Sequence, residues 1–557
     1  MLLRKRKQLF NNQFILLTIS TFTLMKKLFV CALALAAFVA CDNGPEGGVV
    51  NPEAGNVYMQ FSVKMETTRS QTDTEGDTNS NANPDFEVGK DYENKVSNVD
   101  IVLMDNAGAV AARAADITLA QAATDTYVAS FNTTALNAGT QYYVYIVTNG
   151  TFKSLENVTE VGNDLTVTGG IAEKNKFLMT NAMSKENNVT TLPTDLTPYT
   201  SPQNPFNLGA FKVERAAARF DYKAAKTDNV YAIGLNKENV ATVNVKLVEA
   251  ALINMSKKFY DFRRVSDNGL ADGANFLIGG VENPNNYVVD TDAADKNTVV
   301  TDNAEATLSA TNFHYSLVAP ATWVWKSLAV TEDDNWTGAN GEDGYKIWTY
   351  ASENTIPGIA NQVNGISTGI VFKGELSATD AAPAAAKTAI KAGTEMIYVF
   401  KEQLYGTWND VKTAATAADA DAELAAAYNS VVAADNKDTE AFDAPVSAYA
   451  DAGFTGYKPE GGKYYAYYYY WNRHNDNGDN YVMDNMEFAV VRNNVYKLCV
   501  DGISKFGHPT PPTDPENPEN PDPDPVDPTD PDEEKNYYFN VTVKVLPWVV
   551  RVNHIEF

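Results

Sequence analysis

The chain has 557 residues, 44% hydrophobic and 11% aromatic, enough for two or three packed domains. It carries 44 Lys/Arg against 71 Asp/Glu, a net of −27; residues 1–69 hold eight of the basic and four of the acidic ones, so the remainder stands at 36 against 67, a net of −31. This balance excludes nucleic acid and anionic lipid as natural ligands, since both need a basic face, and it suits a solvated extracellular surface.

Residues 1–24 precede a self-sufficient export signal and read as a misassigned start. Met25-Lys26-Lys27 is a positive n-region, and Leu28 to Ala40 is an apolar run of thirteen residues, too short to span a bilayer. The run ends Phe38-Val39-Ala40-Cys41 and is followed by polar Asp42-Asn43-Gly44. Small residues before a cysteine are the pattern of a bacterial lipoprotein signal over 25–40, with Cys41 as the lipidated first residue. Cys31 leaves with that signal, so Cys499 remains alone and no disulfide framework is available. Set among Val495, Leu498 and Val500, Cys499 reads as a small buried hydrophobe.

Residues 41–69 read as a propeptide with one removable strand. Val57, Met59, Phe61, Val63 and Met65 alternate with Tyr58, Gln60, Ser62 and Lys64, the period of a strand with one buried face. Arg69 follows at the edge of a polar stretch, Ser70 to Asn83, with no apolar pattern, where a protease could reach the Arg69–Ser70 bond. Arg113, in Ala111-Ala112-Arg113-Ala114-Ala115, is a second candidate, but a cut there would also remove the strand expected at Val99–Met104.

Residues 70–211 read as a first β-sandwich, with strong strand signals at Val99–Met104 and Tyr142–Val147, the latter ending in Asn149-Gly150 turn chemistry. Residues 212–508 read as a second sandwich. Strands are expected at Arg219–Tyr222, Ala241–Ile253, Tyr315–Val318, Lys463–Trp471 and Met486–Ile503. The tyrosine run from Tyr464 to Tyr470 puts rings on both faces of one strand, which suits a sheet covered on both sides. The alanine-rich segment 381–436 is expected to form two inserted helices. Asn475-Asp476-Asn477-Gly478-Asp479-Asn480 has calcium-loop composition, but Arg473 would fall at the first position of an EF-hand loop, so it reads as a turn between strands.

Residues 509–536 form a spacer; ten of the 24 prolines lie in 509–531 among carboxylates, a run that prefers extended polyproline conformation at about 3.1 Å per residue. Beyond it, residues 537–557 form a second strand unit. Val541, Val543 and Val545 alternate, the phase slips at Leu546-Pro547, and Trp548, Val550 and Val552 continue before Ile555 and Phe557. Burying these nine side chains would contribute roughly 13–27 kcal/mol gross. The segment can fold back on its own domain or enter another molecule, and the long spacer favours the second.

His314, His474, His508 and His554 stand apart, and no metalloprotease motif or phosphate loop occurs, so the chain reads as a non-enzyme with no cofactor and no metal site.

Taken together, Cys41, the Val57–Met65 strand, Arg69, Val213-Glu214-Arg215-Ala216-Ala217-Ala218-Arg219, Ala251-Leu252-Ile253-Asn254, Met486 to Tyr496 and Val545-Leu546-Pro547-Trp548 resemble the fimbrial subunits of Bacteroidota (type V pili), and among them the Mfa-type short-fimbria shaft pilins. The resemblance implies two transthyretin-like β-sandwich domains and an outer-membrane lipoprotein precursor. It further implies an arginine-specific protease that removes lipid and first strand, and a homopolymer in which the C-terminal strands of one subunit fill the groove of the next. Anchor and tip fimbrial proteins, and host or bacterial surface receptors, are the implied further partners. At the cut the family would favour alanine after the arginine, where this chain has Ser70. A tip or accessory adhesin would lack a usable donor segment; a glycan-binding surface lipoprotein would keep its lipid and first strand.

Overall fold

The computed structural model describes residues 56–65, 89–118, 126–236, 238–280, 286–329, 345–358, 361–435, 446–475, 483, 485–511, 529 and 539–547. Strands dominate, in sandwich-like sheets. The first sheet uses β1 (Asn56–Met65), β2 (Asn98–Met104), β3 (Val110–Thr118), β4 (Thr126–Asn132), β5 (Gln141–Thr148), β6 (Met179–Asn181), β7 (Val189–Thr191) and β8 (Phe206–Arg215). Their order is β3-β2-β5-β6-β8-β1-β4, with β7 also paired to β5. The expected strands at 99–104 and 142–147 are thus β2 and β5, adjacent and antiparallel.

β8 extends past residue 211, pairing Phe211 and Val213 with Val63 and Met65 of β1, so the expected boundary at 211/212 falls inside a strand of the first sheet. The chain crosses over at Ala216-Ala217 and enters β9 (Ala218–Ala224). β10 (Val230–Leu235), β11 (Ala241–Ile253), β12 (Lys346–Ala351), β13 (Gly369–Ala378), β14 (Tyr464–Trp471), β15 (Asn494–Ile503) and β16 (Phe539–Pro547) complete the larger strands. One sheet runs β12-β9-β15-β16 and the other β10-β11-β13-β14. They face each other across a core in which the rings of Tyr222 on β9 and Phe372 on β13 lie 5.9 Å apart. A single apolar core runs from Val57 on β1 through Val213 to Leu498 on β15, joining the two sandwiches. Tyr464, Tyr467, Tyr468 and Tyr470 are all buried, as expected of a sheet covered on both faces.

Three sequence expectations are corrected. Segment 381–436 carries three helices, Ala384–Ala392, Trp408–Ala415 and Ala422–Asp435, split by a hairpin of Ile397–Phe400 and Gln403–Tyr405. The first helix ends at Gly393, in the left-handed region at φ 60°. The apolar, β-prone Ile397-Tyr398-Val399-Phe400 then prefers a ladder, and Thr407 caps the next helix from its side chain. Residues 315–318 are not a strand: pairing stops at His314, because Tyr315 takes φ 55° and turns the chain. Only 494–503 of the expected 486–503 strand is regular; Met486 to Asn493 is buried irregular backbone touching a ladder only at Val490.

Candidate subunit-assembly site

β1 lies inside its sheet, antiparallel to β4 and parallel to β8. Val57, Met59, Phe61 and Val63 are buried, opposite Phe131, Ala129 and Tyr127 of β4 and Phe211 of β8, and the Phe61 ring stacks on Tyr127 at 5.5 Å. Tyr58 on the other face is buried as well. A bulge interrupts the β1–β8 register between Gln60 and Ser62, and Gly209 accommodates it at φ 117°, a value costly for any side chain. The four inward side chains are worth roughly 6–12 kcal/mol of burial, comparable with the whole stability of a domain. A sheet emptied of β1 would expose the edges of β4 and β8 at once and needs a replacement strand. Of Met65 the structure gives only its backbone pairing with Val213; Cys41, Arg69 and Ser70 lie outside the described residues.

Arg113 sits mid-way along β3, opposite Val102 of β2, and its Nη2 donates to Asp100 Oδ2 at 2.7 Å. Asp100 is buried and also accepts from Phe152 N and Asp116 N. A peptide bond held in a ladder is a poor protease substrate, which disfavours Arg113 as the cut.

The C-terminal unit pairs within its own chain. β16 runs antiparallel to β15, with Val541, Val543, Val545 and Leu546 opposite Val500, Leu498, Tyr496 and Val495. The fold-back arrangement, not the one favoured by the spacer, is therefore what the single chain adopts. β16 forms the edge of its sheet, held by one ladder, while β15 has a second partner in β9. Trp548, Val550, Val552, Ile555 and Phe557 lie outside the described residues, as do residues 476–482 of the calcium-like loop.

Cys499, on β15, is buried; burial first and Asp501 second push its thiol up to about 12, so it stays protonated and inert. His314 contacts the Val161 carbonyl at 2.8 Å and His474 the Tyr496 hydroxyl at 2.9 Å, both structural contacts.

What sequence reasoning missed is the joint between the sandwiches. Glu93, in the short helix Asp91–Asn94, accepts from Arg219 Nη1 at 2.8 and 3.1 Å and from the Tyr350 hydroxyl at 2.6 Å. Arg219 also pairs with Asp221 at 2.9 Å, and all three charged groups are buried. Arg215 donates from its backbone and Nη1 to Asn493 Oδ1, while Asn493 N donates to the Ala217 carbonyl at 2.9 Å. Arg263 pairs with Glu214, and Arg492 is clamped by Glu353 at 3.0 and 3.1 Å. Asn254, at φ 53°, bonds the carbonyls of Asn364 and Ser367. The segments 213–219, 251–254 and 486–496 thus supply buried charges and amides that tie the irregular backbone between the sheets.

Residues 462–554 match the family model described as major fimbrial subunit protein type IV, fimbrillin, C-terminal. No curated protein sequence matches the chain. Among solved structures it is similar to a fimbrilin (FimA) from Porphyromonas gingivalis, at 13% identity and TM-score 0.37, covering 89% of this chain and 98% of that one. It is also similar to the tip fimbrial protein Mfa3 of Porphyromonas gingivalis with a C-terminal truncation, at 10% identity and TM-score 0.33, covering 88% and 100%.

Proposed function

We propose that this chain is a structural subunit forming the shaft of a cell-surface fimbrium by protease-activated donor-strand exchange, and that the fibre supports adhesion and biofilm formation. The observation that carries the reading is the position of β1: an internal strand with four buried side chains on its inward face, followed in the sequence by Arg69 four residues beyond its end. The fimbrillin match over 462–554 supports the same reading. The precursor is an outer-membrane lipoprotein acylated at Cys41. An arginine-specific protease cuts Arg69–Ser70 and takes away lipid and β1 together. The opened groove between β4 and β8 then accepts residues 537–557 of an identical subunit, whose own β16 leaves the edge of β15. Val541, Val543 and Val545 repeat the spacing of Val57, Met59 and Phe61, as a replacement strand requires. Anchor and tip fimbrial proteins end the fibre. A tip or accessory adhesin is the second reading, and it is weakened by an apolar C-terminal strand that, among the described residues, one ladder holds.

Arg69→Ala is expected to leave a longer, lipid-bearing, monomeric species in the outer membrane, read by N-terminal sequencing and electron microscopy of surface material. Normal fibres built from that variant without a cut at another arginine would refute the mechanism.

A further inference from the structure

Between the first sandwich and β12 lies a cleft of about 230 Å³ that the assembly reading does not use. Its walls carry the rings of Tyr92, Tyr315, Trp348 and Tyr350, of which the first three are only half-buried. The indole Nε1 of Trp348 is buried and has no hydrogen-bond partner among the described residues. An unmet buried donor costs about 1–3 kcal/mol, and a ligand acceptor would relieve it. Lys326, exposed at the rim, gives one donor to Thr349 Oγ1 at 2.7 Å, leaving the rest of its ammonium for a ligand. Asp164 takes two bonds from Thr166 on Oδ1, at 2.9 and 2.7 Å, which leaves Oδ2 to accept from outside. Tyr315 reaches this wall through a left-handed backbone at φ 55°, unusual for an aromatic residue, and its hydroxyl bonds the Asn163 carbonyl across the cleft.

We propose that this cleft is a binding site for one neutral sugar residue of a glycan. Aromatic walls suit the C–H faces of a pyranose ring, whose hydroxyls are at once donors and acceptors. They would meet the Asp164 carboxylate and the Lys326 ammonium at the rim, and a small turn of the half-buried Trp348 ring would bring its N–H to them. A fatty chain would offer no acceptor to the buried Trp348 N–H and no partner to the two charges at the rim. A phosphate or a carboxylated sugar would face Asp164 with a single cation against it, on a chain whose net charge is −27. The proposal does not depend on donor-strand exchange.

The test is saturation-transfer difference NMR on the full-length chain with glucose, galactose and N-acetylglucosamine, beside glucuronate, sialic acid and inorganic phosphate, at millimolar concentration. Transfer to ring C–H protons of at least one neutral sugar is expected. Trp348→Phe, which keeps an aromatic wall and removes Nε1, and Asp164→Asn should each weaken it about tenfold, with thermal unfolding not lowered. No transfer to any neutral sugar, equal transfer in both variants, or preference for the anionic probes would overturn the proposal. Fibre formation, scored separately by electron microscopy, should be the same in all three proteins, so failure here and failure of the assembly mechanism are distinguishable.

Discussion

Glu93 shows how one side chain can hold two domains. It lies in the stretch leading into β2, which stays after any cut at Arg69, and its carboxylate reaches across to Arg219 at the start of β9 and Tyr350 on β12. The Tyr350 hydroxyl is held well above its ordinary range, by burial first and by the Glu93 charge second, so it remains a donor at all working pH. Buried charges of this kind are stable only while every partner is present. Glu93→Ala takes one of its carboxylate partners from the buried Arg219 and should cost about 3–5 kcal/mol. Lys258→Ala, which breaks the exposed pair with Glu160, should cost at most about 1 kcal/mol. Urea midpoints of the two variants make the comparison; equal midpoints would mean that the joint is held by the shared apolar core instead.

At the level of elements, legibility followed the range of the interactions. β1, β2, β5, β11 and β14 were readable because their apolar alternation or continuous burial is written in consecutive residues. The parallel pairing of β1 with β8 was not, since nothing local relates Val63 to Phe211, far apart in the chain. Residues 486–493 have the composition of a strand, yet Arg492 and Asn493 satisfy that backbone through distant partners, and the ladder is never built. Tyr315 ends a strand by a backbone angle its residue type does not announce. Of the assembly site, the β1 face was legible from Val57 to Val63; the resting place of β16 was not, because composition alone cannot distinguish an intramolecular ladder from an intermolecular one. That distinction sets the next experiment. A chain ending at Asp532 loses β16, but β15 keeps β9 beside it, and Val495, Tyr496, Leu498 and Val500 belong to the core that runs on into the first sandwich. The truncated, cleaved protein should therefore stay folded by circular dichroism, with a lowered melting temperature, and should give no polymers by size-exclusion chromatography. Loss of the second sandwich on truncation would make β16 an integral core strand and remove the donor role.

For the whole molecule, charge opposes what the strands favour. Residues 70–557 carry a net of −31, so two free subunits repel over the Debye length, about 30 Å at 0.01 M salt and about 3 Å at 1 M. The strand proposed for exchange is apolar along its alternating face, with Val541, Val543 and Val545 on it, and burying it would be little affected by screening. Salt should thus act on encounter and not on the finished joint. Light scattering of cleaved full-length protein should rise faster as NaCl is increased from low to near-molar concentration, while preformed polymers should not dissociate on dilution into either buffer. The opposite order, with faster growth at low salt, would mean that complementary charged patches steer the subunits together. In that case the acidic surface takes part in docking and does not merely keep subunits apart until a groove is opened.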